Sequence, residues 1–274
     1  VCILPDSSVE PPSGREGIVT YTAQELIEIL EKLNTPEAQR EFPLYHAAKK
    51  LFVHCQDISL ADPGKTKRKL LAGPPRTLSE TALGQVRLAL GRLTGKVAAC
   101  TACRLHFARN KVVLGEGNPA ARIMIVGEGP GRQEDTTGRP FVGKAGKTLD
   151  HLLASINLSR QDVYITNTVK CRARNEEDKD RTPAGDELIA CRPFLKQQLM
   201  LIRPELVVAL GKTALNWFFP DDSLTYSHGK LMMAIDEGFP VFATYHPAAS
   251  FYKPEIKVIL EADFKSIPEL EEPF

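Results

Sequence analysis

Apolar positions along the chain follow two rhythms, with a change near residue 78. In TAQELIEILEKLN, Leu26, Ile29, Leu30 and Leu33 share one face of a 3.6-residue period, and Thr22 with Glu25 has the spacing of a capping box. This predicts a helix, and Thr35-Pro36-Glu37 predicts the start of a second one running toward His54 with a break near Pro43. From Leu78 onward short apolar runs alternate with longer amphipathic stretches. LSETALGQVRLALGRL predicts a helix, and RIMIV (122–126), DVYIT (162–166), ELVVAL (205–210) and PVFATY (240–245) predict buried strands. Helical patterns at 144–156, 184–202, 212–219 and near 254–265 follow them in turn. Continuous apolar strands alternating with helices predict an α/β fold with a parallel sheet covered on both faces. No internal repeat is visible.

The stretch before residue 78 is of a different kind. Residues 1–18 hold three prolines and no sustained period, and are expected to be a disordered tail. GKTKRKLLAGPPR, residues 64–76, carries five basic residues and no acidic ones, with Gly/Pro punctuation. It reads as a linker, either a solvated tether or an arm that touches a nucleic-acid backbone. The expected organisation is thus an N-terminal, mostly helical extension over 1–76 and one α/β domain over 77–274.

Composition narrows the partners. The 274 residues include 35 Lys and Arg against 34 Asp and Glu, so no global field draws the chain to a polyanion, and any such binding rests on local patches. No run approaches the eighteen or so apolar residues of a membrane span, and no basic-then-apolar leader opens the sequence. A cytoplasmic protein that does not engage membranes, and a monomer, is the expectation.

Two glycine-rich turns follow predicted strands, where open α/β sheets bind ligands. RIMIV runs into Gly127-Glu128-Gly129-Pro130-Gly131, but the dinucleotide fingerprint fails because its third glycine falls on Arg132, and Pro130 removes an amide. Gly211-Lys212-Thr213 resembles the end of a phosphate-binding loop, yet the glycine required five positions earlier is Leu206. A strand-to-helix turn with Lys212 near a phosphate is the better reading. A third strand ends at Tyr245-His246-Pro247-Ala248-Ala249-Ser250, which brings His246 to the same edge as the first turn.

Six cysteines occur, at 2, 55, 100, 103, 171 and 191. Without an export signal they point to metal or cluster ligation rather than disulfides. Cys100, Cys103, Cys171 and Cys191 have the spacing C-x2-C-x67-C-x19-C, which permits either a tetrahedral zinc site or an iron–sulfur cluster. Cys2 and Cys55 lack such partners.

Seven motifs in order, CTACRLHFAR, GEGPGRQED, GRPFVGKAG, YITNTVKCR, ACRPFL, VVALGKTA and YHPAAS, resemble the iron–sulfur uracil-DNA glycosylases called family 4, from about Val97 to Phe264. The resemblance implies a central four-stranded parallel sheet in a three-layer αβα domain, and a [4Fe–4S] cluster on Cys100, Cys103, Cys171 and Cys191. It implies uracil-containing DNA, single- or double-stranded, as substrate, with base-excision repair as the setting. Such an enzyme flips uracil out of the stack and hydrolyses its glycosidic bond, leaving an abasic site. Phe141 matches the residue that stacks on the base, Asn167 the amide that reads its edge, and Glu134 the residue set against C5 to exclude thymine. Capping of a helix start is the competing reading for Glu134. Chemistry assigns Glu128 to the water or the sugar cation, and His246 with the amides of the turn around Gly127 and Gly129 to the departing base. Lys212, Ser250 and Lys253 are expected to contact DNA.

Two departures from the family stand out. An arginine is commoner after the YHPAAS motif, and the acidic NEEDKD stretch lengthens the segment after Cys171 and is expected to loop outward. The extension over 1–76 suggests a repair or replication protein as a partner. The alternatives are a non-catalytic or covalent uracil-DNA-binding relative, and a zinc-clipped nucleic-acid-binding module. The covalent relatives carry a histidine between the glycine turn and the stacking phenylalanine, where RQEDTTGRP has none.

Overall fold

The computed structural model describes residues 2–4, 20–22, 71, 78–234 and 237–267. The chain divides into two units, residues 1–67 with Phe274, and residues 68–273. In the first, β1 (Cys2–Leu4) and β2 (Thr20–Thr22) pair in parallel. The sequence pattern predicted a disordered start over 1–18, because three residues are too few to display a period. The helices expected between Thr22 and His54, and the basic linker apart from Leu71, lie outside the described residues.

The second unit opens with α1 (Glu80–Ala98), whose first turn is capped by the Ser79 hydroxyl accepting from the Ala82 amide at 3.2 Å. There follow β3 (Glu116–Gly117), β4 (Ile123–Gly127), α2 (Arg132–Thr137), α3 (Lys144–Ala154), β5 (Tyr164–Asn167) and α4 (Gly185–Ile202). The chain continues through β6 (Leu206–Leu210), α5 (Lys212–Phe218), α6 (Leu224–Ser227), β7 (Leu231–Ala234), β8 (Phe239–Thr244) and α7 (Pro254–Ser266).

The sheet order is β3-β5-β4-β6-β8-β7. Its four central strands are parallel and coincide with the four apolar runs. The sheet nonetheless has six strands and is mixed, because β3 joins β5 and β7 joins β8 antiparallel. These edges escape a reading of periodicity. Glu116–Gly117 is two residues long, and Leu-Met-Met-Ala in β7 does not alternate apolar with polar.

Each central strand is buried on both faces. In β4, Ile123 and Ile125 point to a cluster with Leu149, Leu153, Leu260 and Phe264 of α3 and α7. Met124 and Val126 point to the opposite cluster, with Leu195, Leu199 and Trp217 of α4 and α5. That alternation produces the three layers. Because the central strands run the same way, Gly127, Asn167, Gly211 and His246 all come to one edge, with Gly127 in register beside Asn167. Among the described residues no helix is long and apolar enough to cross a membrane.

Candidate active site

At that edge lies a cavity of about 550 Å³ lined by the glycine turn (Glu128 to Gly131), Glu134, Phe141, Asn167, Leu210 to Thr213, His246 and Tyr252. Its size is that of a small-molecule site. Asn167 closes β5 and is 1 % exposed, with its Oδ1 unpartnered. Such an atom is costly to bury unless a ligand completes it. Its backbone carbonyl accepts from Nζ of the wholly buried Lys170 at 2.6 Å, and the same ammonium reaches Thr166 Oγ1 at 2.8 Å. Burial pushes the Lys170 amine down to about 7, against the pull of the neighbouring Cys191 and Cys171.

Gly127 is glycine for want of room. A Cβ there would sit 2.5 Å from both Asn167 Oδ1 and the Phe141 ring. Glu128 follows it, with its backbone carbonyl accepting from Thr168 Oγ1 at 2.5 Å and its carboxylate Oε2 from Thr213 Oγ1. The other oxygen, Oε1, has no protein partner among the described residues.

Phe141 is buried and adopts a left-handed φ of 51°. That conformation is costly for a bulky residue, and the surroundings hold it from two sides. Arg160 donates to the carbonyls of Pro140 and Phe141 while pairing with Glu116 at 2.6 Å and Asp150 at 2.7 Å. Glu134 Oε1 accepts from the Val142 and Gly143 amides at 2.8 and 2.9 Å. Glu134 lies in the first turn of α2, yet its carboxylate braces this loop, a role that no short pattern announces because its partners lie eight and nine residues further along.

The Phe141 ring faces the His246 imidazole with centroids 5.6 Å apart. His246 Nδ1 accepts from the Ala248 amide at 3.2 Å. Burial pushes the imidazole down to about 4, opposed by the nearby Glu134 carboxylate. The ring is therefore neutral at physiological pH, with its proton on Nε2 as a donor.

The four cysteines of the C-x2-C-x67-C-x19-C pattern line one small cavity with His106, Arg109, Lys170 and Phe194. All are free. Among the described residues no three His, Cys, Asp or Glu side chains converge on a point that would hold a single ion. Four thiols lining one cavity are a donor set for a metal ion or an iron–sulfur cluster. Arg109 Nη1 donates to the Cys171 sulfur and the Lys170 amide to the Cys191 sulfur, each at 3.3 Å, contacts that would favour thiolates over thiols. Burial raises the Cys103 and Cys171 thiols and pushes Cys191 up to about 11, so deprotonation depends on what the site binds.

Residues 114–265 match the model of the uracil DNA glycosylase superfamily. The chain belongs to that superfamily. It is 42% identical over 188 residues to the type-4 uracil-DNA glycosylase of Saccharolobus solfataricus, covering 66% of this chain and 85% of that protein. The type-4 uracil-DNA glycosylase of Archaeoglobus fulgidus is likewise 42% identical over 188 residues, 66% of this chain and 92% of that one. That of Thermotoga maritima is 48% identical over 155 residues, 56% of this chain and 78% of that one.

Of the residues singled out in the sequence, this glycosylase fold gathers Glu128, Gly129, Glu134, Phe141, Asn167, Lys212 and His246 around the cavity, with Gly127 directly behind. Ser250 and Lys253 lie outside the lining, and the Ser250 hydroxyl donates to the Pro247 carbonyl at 2.7 Å. Tyr252, 86 % exposed, lines the cavity instead. Its only sequence signal was an aromatic after YHPAAS. The acidic stretch after Cys171 forms a mostly exposed turn, as expected, closed at its base by the Arg174–Asp180 bridge. Arg132, Arg172 and Arg174 all donate to Asp178, and this draws Asp180 and Arg181 to the cavity wall.

Proposed function

We propose that this chain is a uracil-DNA glycosylase acting in base-excision repair, a hydrolase that flips uracil out of DNA and leaves an abasic site. The observation that carries the reading is the buried Asn167 side chain, with Oδ1 unpartnered in a cavity between an aromatic face, a carboxylate and a neutral histidine. Its amide accepts from uracil N3–H through Oδ1 and donates to O4 through Nδ2. Cytosine presents the opposite pattern and would leave both groups unpaired, which supports rejection by several orders of magnitude. Phe141 offers the stacking face, and Glu134 stands where bulk excludes a C5 methyl.

Cleavage places positive charge on the sugar and negative charge on the base. Glu128 Oε1 is the oxygen available to orient water or face the sugar. His246, neutral and protonated on Nε2, donates to uracil O2 as the base departs. Lys212 and Tyr252 line the mouth, where a cation meets phosphate and an aromatic ring fills the space left by a flipped base. Ser250 and Lys253 extend this contact along the backbone.

Cys100, Cys103, Cys171 and Cys191 would hold a [4Fe–4S] cluster, whose part here is to cross-link three segments rather than to exchange electrons. Cys171 is four residues beyond Asn167 in the chain, so this clip fixes the turn that aims the amide.

Incubation of the iron-loaded protein with uracil-containing single- and double-stranded oligonucleotides, followed by alkaline cleavage of abasic sites, tests the reading. Asn167→Ala is expected to lower excision at least about 100-fold. A brown, iron-containing, folded protein that releases no uracil from either substrate would overturn the proposal.

A further inference from the structure

The turn Gly211-Lys212-Thr213 is not a phosphate-binding loop, yet it sits against both reacting groups. Gly211 has a φ of 88°, and a Cβ on it would lie 3.0 Å from the His246 Cβ, while its amide donates to the Thr244 carbonyl at 2.8 Å. Two residues on, the Thr213 hydroxyl donates to Glu128 Oε2 at 2.5 Å across the β4–β6 pair. We infer that Thr213 is a positioning residue for excision, holding the Glu128 carboxylate by one oxygen so that the other is presented to the substrate.

The inference rests on Glu128 acting at the sugar or the water. A glutamate side chain at the lip of a cavity has three rotatable bonds, and its freedom costs rate unless a partner fixes it. The rest of Glu128 is already fixed, since its backbone carbonyl accepts from Thr168 Oγ1 and from the Val169 amide at 3.2 Å. Among the described residues, only Thr213 donates to the carboxylate itself. With one oxygen held in this way, the other can face an oxocarbenium-like sugar or accept a proton from water. Any hydroxyl at this point of α5 can serve, whereas a methyl of the same shape cannot. The half-buried Thr213 is flanked by the core residues Ala214 and Leu215, so its place is set by packing independent of the hydrogen bond.

The test compares Thr213→Val, Thr213→Ser and Glu128→Gln under single-turnover conditions on uracil-containing DNA, with affinity for abasic-site DNA and thermal midpoint measured alongside. Thr213→Val is expected to slow the chemical step roughly 10- to 100-fold, the worth of a hydrogen bond to a charged group, with affinity and midpoint near those of the parent. Thr213→Ser restores most of the rate, and Thr213→Val adds little to the loss already caused by Glu128→Gln. Parent-like excision by Thr213→Val beside a disabled Glu128→Gln would overturn this inference alone. Full excision by Glu128→Gln would instead overturn the role given to Glu128. Equal slowing by the serine and valine variants would show a packing role and also refute the positioning one.

Discussion

At the scale of single residues, the site depends on places where a side chain is forbidden as much as on those where one acts. Gly146 is the sharpest case. A Cβ there would come within 1.7 Å of the Phe141 carbonyl oxygen, and a backbone atom cannot yield as a side chain can. Gly146→Ala must therefore displace the left-handed Phe141. It is expected to lose stability by about 2–3 kcal/mol and excision by at least tenfold, as read from urea unfolding and uracil release. A parent-like variant would show the Phe141 conformation to be dispensable. The residues proposed to act were already singled out in the sequence. Glu128, Asn167 and His246 each follow a recognisable apolar run, and a parallel sheet sends such ends to one edge. Thr213 and Arg160 were not, because their roles exist only through partners distant in sequence. Thr213 answers Glu128 across the sheet, and Arg160 answers a carbonyl that no pattern advertises.

Between elements, much of the fastening is ionic and converges on α4. Glu187 is fully buried. Its carboxylate accepts from Arg181 at 2.7 and 2.8 Å, from Arg104 beside the CTAC turn at 2.8 Å, and from the Ala184 amide at 2.7 Å. Arg181, followed by Ala184 and Arg104, holds this carboxyl down to about 2 against the opposing effect of burial. A depressed carboxylate contributes stability that is complete above its ordinary value of 4.5 and is lost as pH falls toward 2. Glu187→Gln is expected to be less stable than the parent by about 1–2 kcal/mol at pH 7, with the gap closing between pH 4.5 and pH 2 in urea titrations. A gap independent of pH would show that charge is not its source. Periodicity located α4 to within a residue. It could not reveal that Arg104 and Arg181 meet on one glutamate, since ion pairing over such separations leaves no periodic trace. The short edges β3 and β7 went unread for a related reason, being defined by the strand beside them and not by their own residues.

For the molecule as a whole, the boundary between units is the point where composition and contacts suggest different positions. Composition placed it after residue 76, at the end of the basic, proline-containing run. Residues 68–273 group together by contact, and Leu71 packs against the sheet core with its carbonyl accepting from Arg122 Nη1 at 3.0 Å, so Leu71 is expected to belong with the domain. A chain beginning at residue 68 is expected to excise uracil and melt as the full chain does. One beginning at residue 77 should melt lower by roughly 2–4 °C, the equivalent of about 1 kcal/mol in a domain of this size. Equal midpoints for the two truncations would return the boundary to residue 76.

The spread of the working groups over four strand ends has a consequence for inheritance. Glu128, Asn167, Thr213 and His246 are brought together only by the completed sheet, and no two of them share a local stretch of chain. A crossover between this gene and that of a relative anywhere from codon 128 to codon 246 pairs half of one pocket with half of another. Such an exchange survives only where both parents solve the same contacts alike. Crossovers outside that interval transmit these four groups as one block, so the flanks are freer to diversify than the interior.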